Sequence, residues 1–350
     1  MVRREIEELE TDEYAEKGKA ELDMSLNVNP LGPPETSVQA VRNLPEEKIC
    51  HYQHPGDDLR GSVADLIDIP QDALILTNGC DGALEKLALT YFDKNIDVAI
   101  PVPSFHRYET HARKMGSSIT FIESEGSDFH PSIEEMADCG SDYLVLANPQ
   151  NPSGERFSNK EIETLVQEFN GTIILDEALE HPYRTHAPLT MDEDIIVVGS
   201  FSKILGLAGL RAGYIAGGDK KQIRKSGSPF QINAAAQEAV RAAVESEDYL
   251  ERTDKTVSDE LSYIKGRLER IGISYSESES LPLLISLKDT RFEKKSSDLV
   301  SLMKKEGVKI VDGGHFRGLE KDHIRISVRD RSKNKAFITS LEKVLEQEEY

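Results

Sequence analysis

One lysine stands in an unusual setting of small and hydroxyl-bearing residues. The segment SFSKILGLAGLRAGY, residues 200–214, places Lys203 just after two serines, with Arg211 eight residues further on. These two cations are the only charged side chains between residues 200 and 218. A solvent-exposed loop lysine needs no such surroundings. An amine that must act as a nucleophile at neutral pH does need them, because it has to give up its charge. The segment therefore predicts a lysine that carries a covalent cofactor.

Polar residues also follow three other apolar runs, and each allows two interpretations. In LTNGCDGALEKL a strand leads into a helix, whose free N–H groups near Cys80 and Asp81 could hold a phosphate, or Asp81 could simply cap the helix. In LANPQNPSG, Asn151 precedes a proline and is kept out of the helical region, so its amide can face a pocket or form part of a structural turn. In TIILDEALEH, Asp176 is either a helix cap or the partner of a cation.

The elements that must position these residues are short apolar runs separated by helical patterns such as DGALEKLALTYF. The runs are continuous rather than alternating, which is typical of parallel strands covered on both faces. The candidate strands are residues 73–78, 97–101, 118–122, 143–149, 172–178, 195–200 and 212–218. This alternation predicts an α/β fold, with a large domain whose mainly parallel sheet is sandwiched by helices. Ligands bind beyond the carboxyl ends of such strands, where the polar residues lie.

The chain is expected to divide into three parts. Residues 1–30 are predicted to form a charged helix and an extended arm, because the prolines of NVNPLGPP exclude a helix there. Residues 31–245 would form the large domain, and residues 246–350 a smaller α+β domain. One long helix over roughly residues 233–271, rich in Glu, Lys and Arg, is predicted to connect the two.

The composition of the chain indicates which kinds of binding partner are disfavoured. The chain has 350 residues with 42 Lys and Arg against 63 Asp and Glu, a net charge of −21, which argues against nucleic acid or an anionic membrane as the main partner. No apolar run reaches the roughly 20 residues of a membrane helix, and the charged N-terminus does not resemble a signal peptide. The three cysteines are far apart and no zinc-protease motif occurs, so we expect no disulfide framework and no metal. A cytoplasmic protein that acts on small molecules is predicted.

In combination the motifs resemble a known family. In chain order they are N-G-C-D-G, P-S-F, N-P-Q-N-P-S-G, D-E-A, S-F-S-K and G-L-R. The chain resembles the pyridoxal-phosphate (PLP) enzymes of the class I/II aminotransferase type, which have fold type I. It is most similar to the branch that contains histidinol-phosphate aminotransferase and threonine-phosphate decarboxylase. The resemblance covers nearly the whole chain, from SLNVNPLGPP to HIRISVRDRSKNKAFITSL.

The resemblance implies a role for each matching residue. Lys203 would bond covalently to PLP, Asp176 would keep the pyridine nitrogen protonated, and Asn151 would bond the phenolic oxygen. Phe105, in PSFHRY, would stack on the ring. The phosphate would be held by Ser200, Ser202, Arg211, the backbone around Cys80 and Asp81, and Tyr52 reaching across a homodimer interface.

On the substrate side, the resemblance implies that Arg325 clamps the α-carboxylate by bidentate pairing. Arg329 is expected beside it and Asn29 would line the same pocket. Lys203, once displaced by substrate, would move a proton from the α-carbon. The implied activity is an aminotransferase that passes an amino group from an amino acid or amino-alcohol phosphate to a 2-oxo acid.

Two departures leave a decarboxylase of the threonine-phosphate type as the alternative. The aminotransferase branch usually has tyrosine after D-E-A, whereas this chain has Leu179. Arg325 and Arg329 occur together, as in the decarboxylases. The decarboxylases usually have phenylalanine in place of Leu179, so neither branch is matched fully. Amino-group transfer is favoured because most of the family performs it. A PLP-fold protein that binds without turnover is a third hypothesis, which the intact Lys203, Asp176 and Arg211 disfavour.

Overall fold

The computed structural model describes residues 21–347, apart from residues 53, 55, 125–128, 192–193, 230, 289, 291, 293 and 320. The predicted N-terminal helix therefore lies almost entirely outside the described residues. The strands are β1 (Leu22–Asp23), β2 (Leu74–Thr77), β3 (Asp97–Val102), β4 (Ser118–Glu123), β5 (Tyr143–Ala147), β6 (Thr172–Glu177), β7 (Ile195–Ser200), β8 (Gly213–Ala216), β9 (Pro282–Ser286), β10 (Val308–Lys309), β11 (Val311–Asp312) and β12 (His323–Ser327). The helices are α1 (Glu35–Arg42), α2 (Glu46–Cys50), α3 (Asp57–Leu66), α4 (Gly79–Tyr91), α5 (Arg107–Met115), α6 (Ile133–Ala137), α7 (Asn159–Glu168), α8 (Lys220–Lys225), α9 (Ala234–Val244), α10 (Glu247–Arg270), α11 (Ser296–Lys305) and α12 (Arg331–Gln347).

A seven-stranded sheet in the order β2-β8-β7-β6-β5-β3-β4 forms the centre of the fold. Only β8 runs antiparallel to its neighbours, β2 and β7, so the other six strands point the same way. All seven predicted strands are present, each within three residues of the expected ends. The mainly parallel α/β fold predicted from the apolar runs is confirmed.

Helices cover both faces of this sheet. Along β5, Leu144 and Leu146 belong to one buried apolar cluster, and Val145 and Ala147 belong to another. Successive side chains of a strand point to opposite faces, so the two clusters lie on opposite sides of the sheet. This arrangement explains why the strands are apolar at every position rather than at alternate ones.

The C-terminal part contains a second, antiparallel sheet in the order β11-β12-β9, with α11 and α12 packed nearby. The arm joins this part, because β1 pairs in parallel with β10. As predicted, the proline-containing segment of the arm, residues 27–34, is not helical. Among the described helices, none combines the length and the apolar character that a membrane crossing requires.

The single long helix predicted over roughly residues 233–271 is wrong. Two helices, α9 and α10, occupy this stretch and are separated by Glu245 and Ser246. Ser246 leaves the helical region, with φ −98° and ψ 71°. Its hydroxyl donates to the carbonyl of Ala242 at 2.9 Å and lies 2.9 Å from the hydroxyl of Thr36 on α1. A serine that bonds to nearby backbone and to another helix competes with helix continuation, which composition alone did not reveal.

Candidate active site

The residues predicted to act together follow strands that end at one edge of the sheet. Asp176 lies at the end of β6, Asn151 follows the adjacent β5, and Lys203 follows β7 on the other side. The first turn of α4, which follows β2, reaches the same edge because β2 points the same way as β7. The topology thus brings four distant stretches of sequence together, as expected for a parallel sheet.

Three donors surround the buried carboxylate of Asp176. Its Oδ1 accepts from the backbone N–H of Ala178 at 2.8 Å and from the thiol of Cys80 at 3.3 Å. Its Oδ2 accepts from the hydroxyl of Tyr108 at 2.7 Å. Hydrogen bonds of this kind stabilise the negative charge of a buried carboxylate. These three contacts therefore hold the carboxylate in one orientation.

The amine of Lys203, on a half-buried side chain, interacts electrostatically with the Asp176 carboxylate. Burial lowers the pKa of Lys203, and the charges of Arg325 and Arg211 act in the same direction, whereas the charge of Asp176 opposes them. Burial has the largest effect, so the amine loses its proton more readily than an ordinary lysine. This is the electrostatic setting that a nucleophilic lysine needs.

Arg211 lies against the start of α4. A Cβ atom added at Gly79 would lie 2.7 Å from Arg211 Nη2, so glycine is what lets the guanidinium approach this helix end. Arg211 itself is in the left-handed region, with φ +57°, and its Nη1 donates to the hydroxyl of Ser202 at 3.3 Å. The hydroxyl of Ser200 accepts from the N–H of Ser202 at 3.1 Å. A guanidinium, two hydroxyls and a helix N-terminus form a donor set that fits a phosphate monoester.

The Asp81 side chain contributes nothing directly to such a phosphate site. Its carboxylate is bound by Arg107, through Nε at 2.7 Å and Nη2 at 2.9 Å, and by His111 Nε2 at 2.9 Å. Burial opposes the charge, but the hydrogen bonds from His111 and Arg107 outweigh it and hold the pKa of Asp81 well below its usual range. The backbone at the helix start is the part of this segment that can face a phosphate.

The predicted substrate side is built around Arg325 on β12, which is buried. Its Nη1 donates to Asn151 Oδ1 at 3.0 Å, and its Nη2 donates to the carbonyl of Ser25 in the arm. Arg329 also binds the arm, through Nε to the carbonyl of Asp23 at 2.9 Å and through Nη1 to that of Val28 at 3.2 Å. Arg325 thus adjoins the site, whereas Arg329 is occupied in holding the arm.

The arm also contacts the lysine loop directly. Asn29 is buried, and its Nδ2 donates to the carbonyl of Ile204, next to Lys203, at 2.6 Å and to Thr253 Oγ1 at 2.9 Å. Asn29 therefore lies beside the predicted lysine. It also links the lysine loop to α10.

The remaining predicted residues differ in placement. Phe105 is partly buried, and its ring meets that of Tyr108 edge-on at 5.8 Å between centroids. Tyr52 is 86% exposed. Leu179 is buried in the apolar core, so its position supplies no hydroxyl to the site.

Within the described part of the chain, no cluster of three or more His, Cys, Asp and Glu side chains could hold a metal.

Sequence reasoning missed the side chains that contact the two acids. Tyr108 binds Asp176, while Arg107 and His111 bind Asp81, and all three belong to α5. One signal was available, because Tyr108 lies three residues after Phe105 and thus about one helical turn away, on the same side. The thiol contact between Cys80 and Asp176 has no sequence signal, since 96 residues separate them.

Comparisons with known proteins identify the family of this chain. Residues 19–341 match the family "Aminotransferase class I and II". Histidinol-phosphate aminotransferase of Symbiobacterium thermophilum is 27% identical over 333 residues, covering 92% of this chain and 90% of the relative. The Methanosarcina mazei protein of the same name is 26% identical over 347 residues, covering 97% and 92%.

Solved structures give the same fold. Histidinol-phosphate aminotransferase from Sinorhizobium meliloti, in complex with pyridoxal-5'-phosphate, has a TM-score of 0.85 at 20% identity and covers 99% of this chain and 98% of its own. L-threonine-O-3-phosphate decarboxylase from Porphyromonas gingivalis has a TM-score of 0.78 at 25% identity, covering 93% and 99%. With the family match extending over most of its length, the chain belongs to the class I and II aminotransferase family, whose enzymes are PLP-dependent.

Proposed function

We propose that this protein is a PLP-dependent aminotransferase whose amino donor is an amino acid or an amino-alcohol phosphate of the histidinol-phosphate kind, with a 2-oxo acid as acceptor. One observation carries the proposal. The Lys203 amine, whose pKa is lowered by burial, interacts with the charges of both Asp176 and Arg211, and Arg211 lies against Ser202 and the start of α4. A molecule with a basic ring nitrogen, a carbonyl and a phosphate satisfies all three features at once.

Each residue of the site would have a separate role in binding PLP or in moving the proton. Arg211, Ser200, Ser202 and the first turn of α4 would hold the phosphate, and Lys203 would form the covalent bond. Asp176 would pair with the ring nitrogen, and Asn151 would bond the phenolic oxygen. Bound PLP supplies an electron sink for the negative charge that develops at the substrate α-carbon. Lys203 Nζ, neutral after substrate has displaced it, would take the proton from that carbon.

The arm and the substrate arginine favour a small anionic substrate. Arg325 is buried, and it already binds two oxygen acceptors, Asn151 Oδ1 and the Ser25 carbonyl. A carboxylate offers the same kind of acceptor with a full charge, so it would bind more strongly than a neutral carbonyl. The names of the relatives support a phosphorylated donor for the other half of the reaction.

Decarboxylation is the second candidate. Leu179 leaves the site without a hydroxyl from that position, and the Porphyromonas gingivalis decarboxylase shares the fold at 25% identity. Decarboxylation would require the pocket to hold the substrate carboxylate in a different orientation from the one that Arg325 would give it, so that carbon dioxide rather than the α-proton leaves. The engagement of Arg329 with the arm favours transamination, because only Arg325 is then close to the site.

A homodimer in the cytoplasm completes the proposal. Tyr52, an exposed residue in its own chain, would reach the phosphate bound by a second copy of the chain, so each site would need both copies. Mixing Tyr52→Ala with Lys203→Ala chains should then restore about a quarter of the wild-type activity, because one site in each mixed dimer is intact. Sedimentation that shows an active monomer would contradict this part of the proposal.

A panel of amino donors tests the reaction type. Histidinol phosphate and common amino acids are each incubated with PLP-loaded enzyme and 2-oxoglutarate, and O-phosphothreonine is incubated without an acceptor, followed by mass spectrometry. Transamination gives a carbonyl product together with glutamate, whereas decarboxylation gives an amine that is lighter by carbon dioxide. If no donor reacts and the visible absorption of the bound cofactor does not bleach, the protein binds PLP without turnover and the proposal is wrong.

A further inference from the structure

The carboxylate of Asp176 is held from two sides by side chains of other elements. Tyr108, on α5, donates to Oδ2 at 2.7 Å, and Cys80, in the first turn of α4, donates to Oδ1 at 3.3 Å. All three residues are buried. Neither Tyr108 nor the thiol of Cys80 has a role in the function proposed above, which uses only the backbone near residue 80.

Both groups keep their protons. Burial raises the pKa of the Tyr108 hydroxyl and of the Cys80 thiol well above their usual values, and the charge of Asp176 adds to the effect. Both side chains therefore act as donors to the carboxylate throughout the neutral range, and neither competes with it as a second anion. The positive ends of their dipoles point at Asp176 and compensate part of its charge.

The protonation of the Lys203 amine depends on how far the charge of Asp176 is compensated. Three charged side chains on other elements act on its amine: Asp176 on β6 favours the charged form, whereas Arg325 on β12 and Arg211 favour the neutral form. Asp176 has the largest effect among these charges. Any change in how strongly donors compensate Asp176 must then appear at Lys203.

We propose that Tyr108 and Cys80 are positioning residues that weaken the pull of Asp176 on the Lys203 proton and so keep this amine reactive. For the lysine, the inference rests on the hydrogen bonds that Tyr108 and Cys80 donate to Asp176 and on the charge interaction between Asp176 and Lys203. For the cofactor ring that Asp176 would pair with, it rests on the function proposed above. Without either donor, Asp176 would exert a stronger negative potential, and Lys203 would hold its proton to higher pH.

Competitive labelling of the cofactor-free protein tests this directly. Lysines are acetylated with trace acetic anhydride from neutral to alkaline pH, and the peptide that contains Lys203 is quantified by mass spectrometry. In Tyr108→Phe the labelling midpoint should rise by about half a pH unit, because one hydrogen bond to a charged group is lost. Cys80→Ala should shift it in the same direction, and Cys80→Ser, which keeps a donor, should restore most of the difference.

The control is Tyr143→Phe. This tyrosine packs against the same apolar cluster, and its ring contacts are with Tyr91 and Phe92, not with Asp176. Its loss should leave the midpoint unchanged. In PLP-loaded protein the same variants should move the pH midpoint of the visible absorption in the same direction as the labelling midpoint.

Unchanged midpoints in both Tyr108→Phe and Cys80→Ala, with or without a lower melting temperature, would reduce the two residues to a packing role and overturn the inference. An equal shift in Tyr143→Phe would do the same. If Tyr108→Phe does not fold, the comparison of Cys80→Ala with Cys80→Ser decides the matter. Failure of the proposed function would look different, since wild-type protein would then take up no PLP at Lys203 while the labelling comparison still stood.

Discussion

Arg325 donates a hydrogen bond to Asn151 at 3.0 Å, and this contact joins the C-terminal sheet to the edge of the central one. The two residues are 174 positions apart in sequence. Under the proposed function one would bind the substrate carboxylate and the other the cofactor oxygen. The residue expected to bind the substrate is therefore hydrogen-bonded directly to the residue expected to bind the cofactor.

Arg325→Gln should damage one half-reaction more than the other. The 2-oxo acid and its amino acid carry a carboxylate, whereas an amino-alcohol phosphate carries none. Loss of a buried charge-assisted pair should therefore slow the half-reaction with glutamate by about 100-fold. Single-turnover absorbance of PLP-loaded enzyme should show a much smaller loss with histidinol phosphate. Equal losses with both donors would argue that Arg325 has no special role at the carboxylate.

Asp176→Asn should keep PLP bound but lower turnover by about 100-fold or more, because a neutral amide cannot hold the ring proton in place. Asp81→Asn is the matched charge removal, since the Asp81 carboxylate is bound by Arg107 and His111 and not by any group of the proposed mechanism. Asp81→Asn should lower turnover considerably less than Asp176→Asn does. Steady-state kinetics with the preferred donor make the comparison, and wild-type turnover in Asp176→Asn would refute the electron-sink role.

Gly79→Ala should weaken PLP binding by about tenfold, because the new methyl would lie 2.7 Å from Arg211 Nη2 and displace the guanidinium. Gly272→Ala is the control. Both glycines have nearly the same positive φ, +72° and +71°, but a Cβ atom at Gly272 meets no atom within 4 Å. Backbone strain of about 1 kcal/mol is thus common to both variants. Titration of cofactor-free protein with PLP, followed by fluorescence, should separate them, and equal affinities would place the phosphate elsewhere.

The strands and the site edge were accessible from sequence because both depend on local patterns. Apolar runs that are continuous, such as residues 195–200, mark strands covered on both faces, and the polar residue that ends each run marks the edge where ligands bind. The break between α9 and α10 was not accessible, since it depends on the contact of Ser246 with Thr36 in a distant helix.

The contacts inside the site could also be predicted only in part from the sequence. Lys203 and Asp176 could be selected by residue type and position, but the donors around Asp176 could not. Whether the Cys80 side chain or its backbone faces the site depends on the rotation of α4, which packing against the sheet determines. Likewise, the engagement of Arg329 with the arm depends on how the arm folds back onto β12, and two arginines four residues apart give no sign of it.

The buried His181 should make the fold sensitive to acid. Burial lowers its pKa to about 4, and the charge of Arg184 adds to the effect. The unfolded chain binds this proton below about pH 6.5, whereas the folded chain binds it only near its own lower pKa. Stability is therefore full above that range and falls as the pH drops towards 4, by about 2 kcal/mol at pH 4.5.

Urea unfolding near neutral pH and at mildly acidic pH, in wild type and in His181→Gln, checks this expectation. The variant should lose less stability between the two conditions than the wild type, because glutamine does not titrate. Only the difference between the two pH values is compared, so a constant cost of the substitution cancels. The same acid-induced loss in both proteins would show that His181 is not the group responsible.

The central claim, that the amine of Lys203 forms the covalent bond to PLP, has one direct measurement. PLP-loaded protein is reduced with borohydride, digested, and analysed by mass spectrometry, in parallel with Lys203→Ala. A single pyridoxyl adduct is expected, on Lys203, and the variant should have neither adduct nor activity. An adduct on another lysine, or cofactor that is still trapped in Lys203→Ala, would contradict it.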